Sequence, residues 1–212
     1  MRPILLILGF IVLLRAPFLN QPIQGDDIYY LAGAEHAQID PLHPNHARYV
    51  FLGETVDMRG HPHPPFNAWF LAALLALTGG IREVPYHADY MLFSAIAALS
   101  MWSLARRYTP RPLPATLLFV VTPAFVVCGT SLESDLTLLA FWMASAALFI
   151  EAADKRSGLL ALTAALALLM AVMTGYQTVV LVPVLGFHLW RQYRNWKPGW
   201  AVLTAAPLAL VC

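Results

Sequence analysis

The chain has 212 residues, of which 59% are hydrophobic and 12% charged, and its formal net charge is +1. Soluble domains carry about 25% charged residues, so this composition, with a mean hydropathy of +0.62, excludes an ordinary soluble globule and implies an integral membrane protein. The near-zero net charge leaves no electrostatic footprint for nucleic acid, and two cysteines, Cys128 and Cys212, supply neither a disulfide framework nor a zinc knuckle.

Taken in order, the chain opens with Arg2 and an apolar run over 3–19. Arg15 interrupts this run, and Ala16-Pro17-Phe18-Leu19-Asn20 offers no small-x-small cleavage site, so the expectation is an uncleaved signal anchor. A polar stretch follows, from Asn20 to Pro65. It opens with Gly25-Asp26-Asp27-Ile28-Tyr29-Tyr30 and closes with His61-Pro62-His63-Pro64-Pro65. Further apolar segments fall at 66–80, 86–105, 113–129, 132–150, 158–174, 176–190 and 199–212. A helix of 18 residues covers about 27 Å, close to the roughly 30 Å hydrocarbon core. Helices suit this setting because lipid offers backbone groups no water to bond.

The expected fold class is therefore all-α: a polytopic membrane helix bundle of about six to seven spanning helices. It forms one domain over 1–212, with a first membrane helix at 1–19, an outer-face loop with short juxtamembrane helices at 20–85, and membrane helices over 86–212. The last segment is apolar to its final residue and shorter than the roughly 20 residues a span needs. The expectation is that the sequence is the N-terminal portion of a longer protein.

Sidedness follows from the basic residues, which favour the cytoplasmic side. If Arg2 is cytoplasmic, the first helix delivers the acidic loop to the outer face. A crossing at 66–80 would then put three basic clusters outside: Arg106-Arg107 with Arg111, Lys155-Arg156, and Arg191 to Lys197. A short interfacial or re-entrant helix at 66–80 instead keeps all three inside. This version gathers every acidic residue except Glu151 and Asp154 on the outer face. Carboxylates at the edge of hydrocarbon are costly and point to function.

Four constellations bear chemistry. Asp26 and Asp27 are adjacent carboxylates. One can serve as general base on an acceptor, or both simply open the short helix Ile28–Ala37. Neighbours on a helix point in different directions, so one of them, Asp26, is expected to face the site. Glu133-x-Asp135 suits a divalent cation beside a phosphate, an acceptor, or merely a helix start with Ser131 or Ser134 as cap. Histidines 36, 43, 46, 61 and 63 crowd the loop. His43-x-x-His46 and His61-x-His63 have ligand spacing for zinc without a thiolate. They suit phosphate binding better, helped by Arg48, Arg59 or Arg82. Thr174-Gly175-Tyr176-Gln177 reads as a tight turn on the outer face that can also line the site. Tyr29, Tyr30, Tyr49, Phe51, Trp69 and Phe70 fit an interfacial belt, with a secondary use in stacking on a sugar or prenyl chain.

One membrane helix, an outer loop opening with Gly-Asp-Asp-x-Tyr-Tyr, a His-Pro-Pro-Phe loop end with a short helix, and an acidic residue heading a later helix form a pattern. It resembles the polyprenyl-phosphate-dependent membrane glycosyltransferases of the GT-C class, and within them the protein O-mannosyltransferase and aminoarabinose-transferase-like group. The resemblance covers about 1–190, most closely 20–150. It implies that Asp26 is the catalytic acidic residue, acting as general base, Asp27 its acidic neighbour, His63-Pro64-Pro65 the loop end near the donor phosphate, and Asp135 with Glu133 the second acidic motif. Relatives often carry a lysine where this chain has Thr174-Gly175-Tyr176, and an arginine near Asp89-Tyr90-Met91. Arg82 or Arg59 is the substitute expected here.

The resemblance implies an inverting transfer of sugar from a polyprenyl-phosphate donor to a glycan, lipid or protein acceptor, on the periplasmic face of a bacterial inner membrane. The catalytic set is Asp26 and Asp27. The substrate-binding set is Glu133, Asp135, His61, His63, Arg59, Arg82, Tyr29 and Tyr176. No metal site is assigned, and a divalent cation remains compatible with the carboxylates. Two other classes share these features: a transporter or channel using outer-face carboxylates, and a non-catalytic subunit on the same scaffold.

Overall fold

The computed structural model describes residues 2–60 and 63–209. Its elements in chain order are α1 (Arg2–Arg15), α2 (Asp27–Ala37), β1 (Arg48–Phe51), β2 (Glu54–Asp57), α3 (Phe66–Thr78), α4 (Glu83–Tyr108), α5 (Pro112–Val120), α6 (Pro123–Cys128), α7 (Ser134–Lys155), α8 (Gly158–Val172), α9 (Leu181–Gln192) and α10 (Lys197–Ala209). Short 3-10 turns lie at Ala16–Phe18, Met58–Gly60 and Tyr176–Val180. The architecture is mostly helical, as the apolar segments imply.

Among the described residues two helices are long and apolar enough to cross a membrane. These are α4, with 26 residues and mean hydropathy 1.3, and α7, with 22 residues and 1.8. At 1.5 Å per residue they reach about 39 and 33 Å, against a hydrocarbon core of about 30 Å. α3 and α8 are apolar but shorter. Buried alanines, among them Ala97, Ala98, Ala140, Ala152, Ala153, Ala161 and Ala164, let backbones approach closely, the usual device for helix contact in lipid. The opposite faces show Leu5, Leu6, Leu13, Leu159, Leu162 and Phe187 exposed, as suits a lipid surround.

Local signals explain the breaks. α3 starts after Pro65 and stops at Gly79, whose φ of 66° is left-handed and whose N–H returns to the Leu75 carbonyl at 3.0 Å. α8 is capped by Ser157, whose hydroxyl accepts from Leu160 N–H at 3.3 Å. The apolar run 113–129 is two helices rather than one. Pro123 has no N–H to donate and holds Thr122 extended, at ψ 141°.

Within the loop 20–85 lies an element the sequence reading did not foresee: an antiparallel hairpin pairing Arg48 with Asp57, Tyr49 with Val56, Val50 with Thr55 and Phe51 with Glu54. Its two-residue turn places Leu52 at φ 51° and Gly53 at φ 86°, the signs that a right-twisted hairpin turn requires.

α4 and α7 run parallel. Tyr90 of α4 bonds the Leu132 carbonyl just before α7, and Arg107 near the end of α4 pairs with Asp154 near the end of α7. α5 and α6 make the return between them. At the Arg107 end, Tyr193 donates to Asp154 and Arg156 lies 5.2 Å from the Tyr193 ring. The three basic clusters therefore share one end of the bundle. α3 does not traverse the bundle. Asn67 near its start bonds Tyr90, about two turns into α4, and a short turn over 79–82 joins its end to the first residue of α4. It lies across the opposite, acidic end, packed along α2 through Gln38 Nε2 donating to the Ala72 carbonyl at 2.7 Å.

Candidate active site

Gly25, at φ 61°, turns the chain into α2. Asp26 precedes the first helical residue, its side chain makes no capping bond, and it is exposed. Asp27 is the first residue of α2 and is buried, 2% exposed. Successive helical residues diverge by about 100°, so the two carboxylates face different surroundings. Asp27 Oδ1 accepts from Leu132 N–H at 2.7 Å. Burial raises the Asp27 pKa and nearby Asp26 adds to this, while the bonds from Leu132 and Gln24 N–H oppose it.

The Leu132 peptide is held on both sides. Its carbonyl accepts from Asn67 Nδ2 at 2.9 Å. The Tyr90 hydroxyl lies 2.8 Å from the same carbonyl and 2.7 Å from Asn67 Oδ1, and its single proton serves one acceptor at a time. Tyr30 Oη and Ser134 Oγ are 3.1 Å apart, and Gln21 Nε2 donates to the Thr130 carbonyl at 2.9 Å. α2, α3, α4 and the head of α7 are thereby joined through one buried polar network. It brings Glu133 and Asp135 toward Asp26 and Asp27. The Glu133 pKa is raised by burial first, then by Asp135, Asp27 and Asp26. Neither serine caps α7: Ser131 Oγ donates to the Cys128 carbonyl, and Ser134 Oγ meets Tyr30.

Asp26 opens onto a cavity of about 300 Å³ lined also by Tyr29, Tyr30, Tyr49, Phe51, Val56 and His63. Tyr29 stands edge-on to Tyr30 at 5.1 Å, to Tyr49 at 5.2 Å and to His63 at 5.6 Å. Burial, then Tyr30 and Tyr49, push the Tyr29 phenol up to about 12, so it is neutral at physiological pH. Asn45 Nδ2 donates to the His63 carbonyl at 2.6 Å and fixes the loop behind the ring. The result is an aromatic wall, suited to the apolar face of a sugar or prenyl group, with one exposed carboxylate at its rim.

The other expected site residues lie elsewhere. Arg59, in the turn after the hairpin, is bound to Asp57 at the end of β2, at 2.9 Å from Nε and 2.5 Å from Nη2, and Arg82 precedes α4 without a side-chain capping bond. Neither lines the cavity. Tyr176 is 51% exposed and outside it, although its turn is near: Phe66 N–H donates to the Met173 carbonyl at 2.9 Å. His61 lies outside the described residues. His43 and His46 stack at 4.7 Å, with His43 bonded to Asp40 at 3.0 Å. Among the described residues no three His, Cys, Asp or Glu side chains converge on a metal position. The sequence places Tyr49 and Phe51 in an interfacial belt with a secondary use in stacking on a sugar or prenyl chain, and gives Asn67 and Tyr90 no role. Only the hairpin and the fold around Leu132 reveal them.

A family model described as dolichyl-phosphate-mannose-protein mannosyltransferase matches residues 62–212, from just before α3 through α10. α1, α2 and the hairpin precede the matched region. No curated protein matches the chain. The match spans well over half of the sequence, so the chain belongs to the dolichyl-phosphate-mannose-protein mannosyltransferase family, membrane-integral glycosyltransferases that draw on a lipid-linked sugar donor.

Proposed function

We propose that this chain carries the acidic-loop part of a transferase that moves one sugar from a polyprenyl-phosphate donor to a glycan, lipid or protein acceptor, with Asp26 as general base. The observation that carries this reading is the division between the two adjacent carboxylates. Asp27 is buried against Leu132 N–H, whereas Asp26 stands exposed on the aromatic cavity. In the step, an acceptor hydroxyl attacks the anomeric carbon from the face opposite the phosphate. Its proton passes to Asp26, the bond from anomeric carbon to phosphate oxygen breaks, and polyprenyl phosphate leaves with inversion. His63, in the cavity wall, is assigned to donate a hydrogen bond to the departing phosphate. The gathering of the basic clusters at the far end supports an acidic end on the outer, periplasmic face of a bacterial inner membrane.

The test is transfer in membranes containing the longest available chain, with labelled polyprenyl-phosphate sugars as donors. Asp26→Asn removes the charge at nearly constant shape and should lower kcat about 10²-fold or more, the size expected of a general base, with an unchanged unfolding temperature. Full activity in Asp26→Asn would sink the assignment. A folded wild type inactive with every donor would favour a non-catalytic scaffold.

A further inference from the structure

At the basic end lies a second cavity, of about 400 Å³, between the α7–α8 turn and the α9–α10 loop. We propose that it binds the phosphate headgroup of an anionic glycerophospholipid from the adjoining leaflet. Arg156, Arg191 and Arg194 line it together with Trp190, Tyr193 and Asn195, and no carboxylate does. Among the described residues none of the three arginines forms an ion pair. The nearby acid, Asp154, is already engaged by Arg107 and by the Tyr193 hydroxyl, so the positive charge of the cavity stands uncompensated.

The site is built rather than incidental. Arg156 adopts a left-handed backbone, φ 50°, which non-glycine residues hold at a cost, and it extends over the Tyr193 ring at 5.2 Å. The loop bearing Arg194 is fixed by Trp196 N–H donating to the Tyr193 carbonyl at 2.8 Å and Trp200 Nε1 to the Arg194 carbonyl at 2.8 Å. Buried Trp196 anchors it against Phe149. Guanidinium groups match phosphate oxygens in pairs. The neighbouring surface selects lipid over a soluble phosphate. Val184, Phe187 and Trp190, spaced three apart on α9, are 53%, 63% and 58% exposed. They form an apolar track leading from the cavity along which an acyl chain would lie, as basic pockets between membrane helices do with anionic headgroups.

The test titrates the purified full chain, in a neutral detergent, with phosphatidylglycerol, phosphatidylcholine or inorganic phosphate. Lipid retention by native mass spectrometry and unfolding temperature are the readouts. Phosphatidylglycerol should be retained and should raise the unfolding temperature, and the other two should do neither. The triple variant Arg156→Gln/Arg191→Gln/Arg194→Gln should weaken that retention about tenfold or more, while Arg111→Gln, off the cavity, should leave it unchanged. Equal retention of phosphatidylcholine, an equal shift from inorganic phosphate, or full retention by the triple variant would each overturn the proposal. If the triple variant does not fold, Arg191→Glu alone decides: weakened retention upholds the site and wild-type retention overturns it.

Discussion

The guanidinium of Arg15 fills the space that a side chain on Gly129 would need. Arg15 is 4% exposed; its Nη1 and Nη2 donate to the Val126 and Phe125 carbonyls at 2.7 Å each, and its Nε donates to Ser94 Oγ at 3.2 Å. It thus closes the C-terminal end of α6 from the end of α1. The guanidinium cannot swing aside without losing those bonds. Gly129→Ala is therefore expected to destabilise by about 1–3 kcal/mol, as overpacking does. Arg15→Met should lose a comparable amount by taking donors from two carbonyls. Because both variants break one contact, the double variant should lose less than their sum. Denaturant unfolding in a fixed detergent measures all three, and strict additivity would refute the coupling.

Asp27 is expected to act through its oxygen rather than its charge. Asp27→Asn keeps an acceptor for Leu132 N–H and should leave stability and transfer near wild type. Asp27→Ala strands that buried N–H and should cost about 1–3 kcal/mol. The unfolding free energies of the two variants separate the cases. Equal losses would show that the carboxylate itself is required.

Glu133 makes the stability of the acidic end depend on pH. Its folded pKa is raised above the ordinary 4.5, so the folded state holds this proton more tightly than the unfolded chain. The contribution is complete below the ordinary value and is lost as pH rises through the raised one. Glu133→Gln removes this titration. Its unfolding temperature relative to wild type should climb as pH rises above the ordinary carboxylate value and level off once Glu133 is ionised in the folded state as well. A difference that falls with pH would give the wrong sign.

The hairpin tip is strained. Leu52 holds φ 51° while 90% exposed, so its side chain gains little packing in return. Leu52→Asn, better suited to that turn position, should stabilise the hairpin by about 0.5–1 kcal/mol. Slower amide exchange at Tyr49 and Val56, a hydrogen-bonded pair of the ladder, would register the gain relative to wild type.

Much of the helical layout was legible because apolar length and flanking charge report directly on membrane helices. The ends of α3 fell at Pro65 and Gly79, where those residues predict, whereas α7 runs on to Lys155, past the apolar segment that ends at 150, because the turn after 150 is polar but still helical. Residues 113–129 misled because both halves are equally apolar and only Pro123 marks the break. The hairpin was hidden by its brevity and by Leu52-Gly53 standing where Asn-Gly would announce a turn. The pairing of the two acidic motifs was inferred from the distribution of basic residues. What joins them, though, is a backbone group, the Leu132 peptide, which no residue identity can advertise. Arg59 looked available for phosphate because its hairpin partner Asp57 was not yet beside it.

The Leu132 peptide also sets an order of events during synthesis. Its N–H and carbonyl are bound by Asp27, Asn67 and Tyr90, which precede it by 105, 65 and 42 residues. A nascent chain that has not yet emerged past α6 holds all three side chains without the Leu132 peptide they bind. The acidic end is consequently assembled late, when the head of α7 arrives. Until then Asp27, Asn67 and Tyr90 lack the one peptide group that joins them.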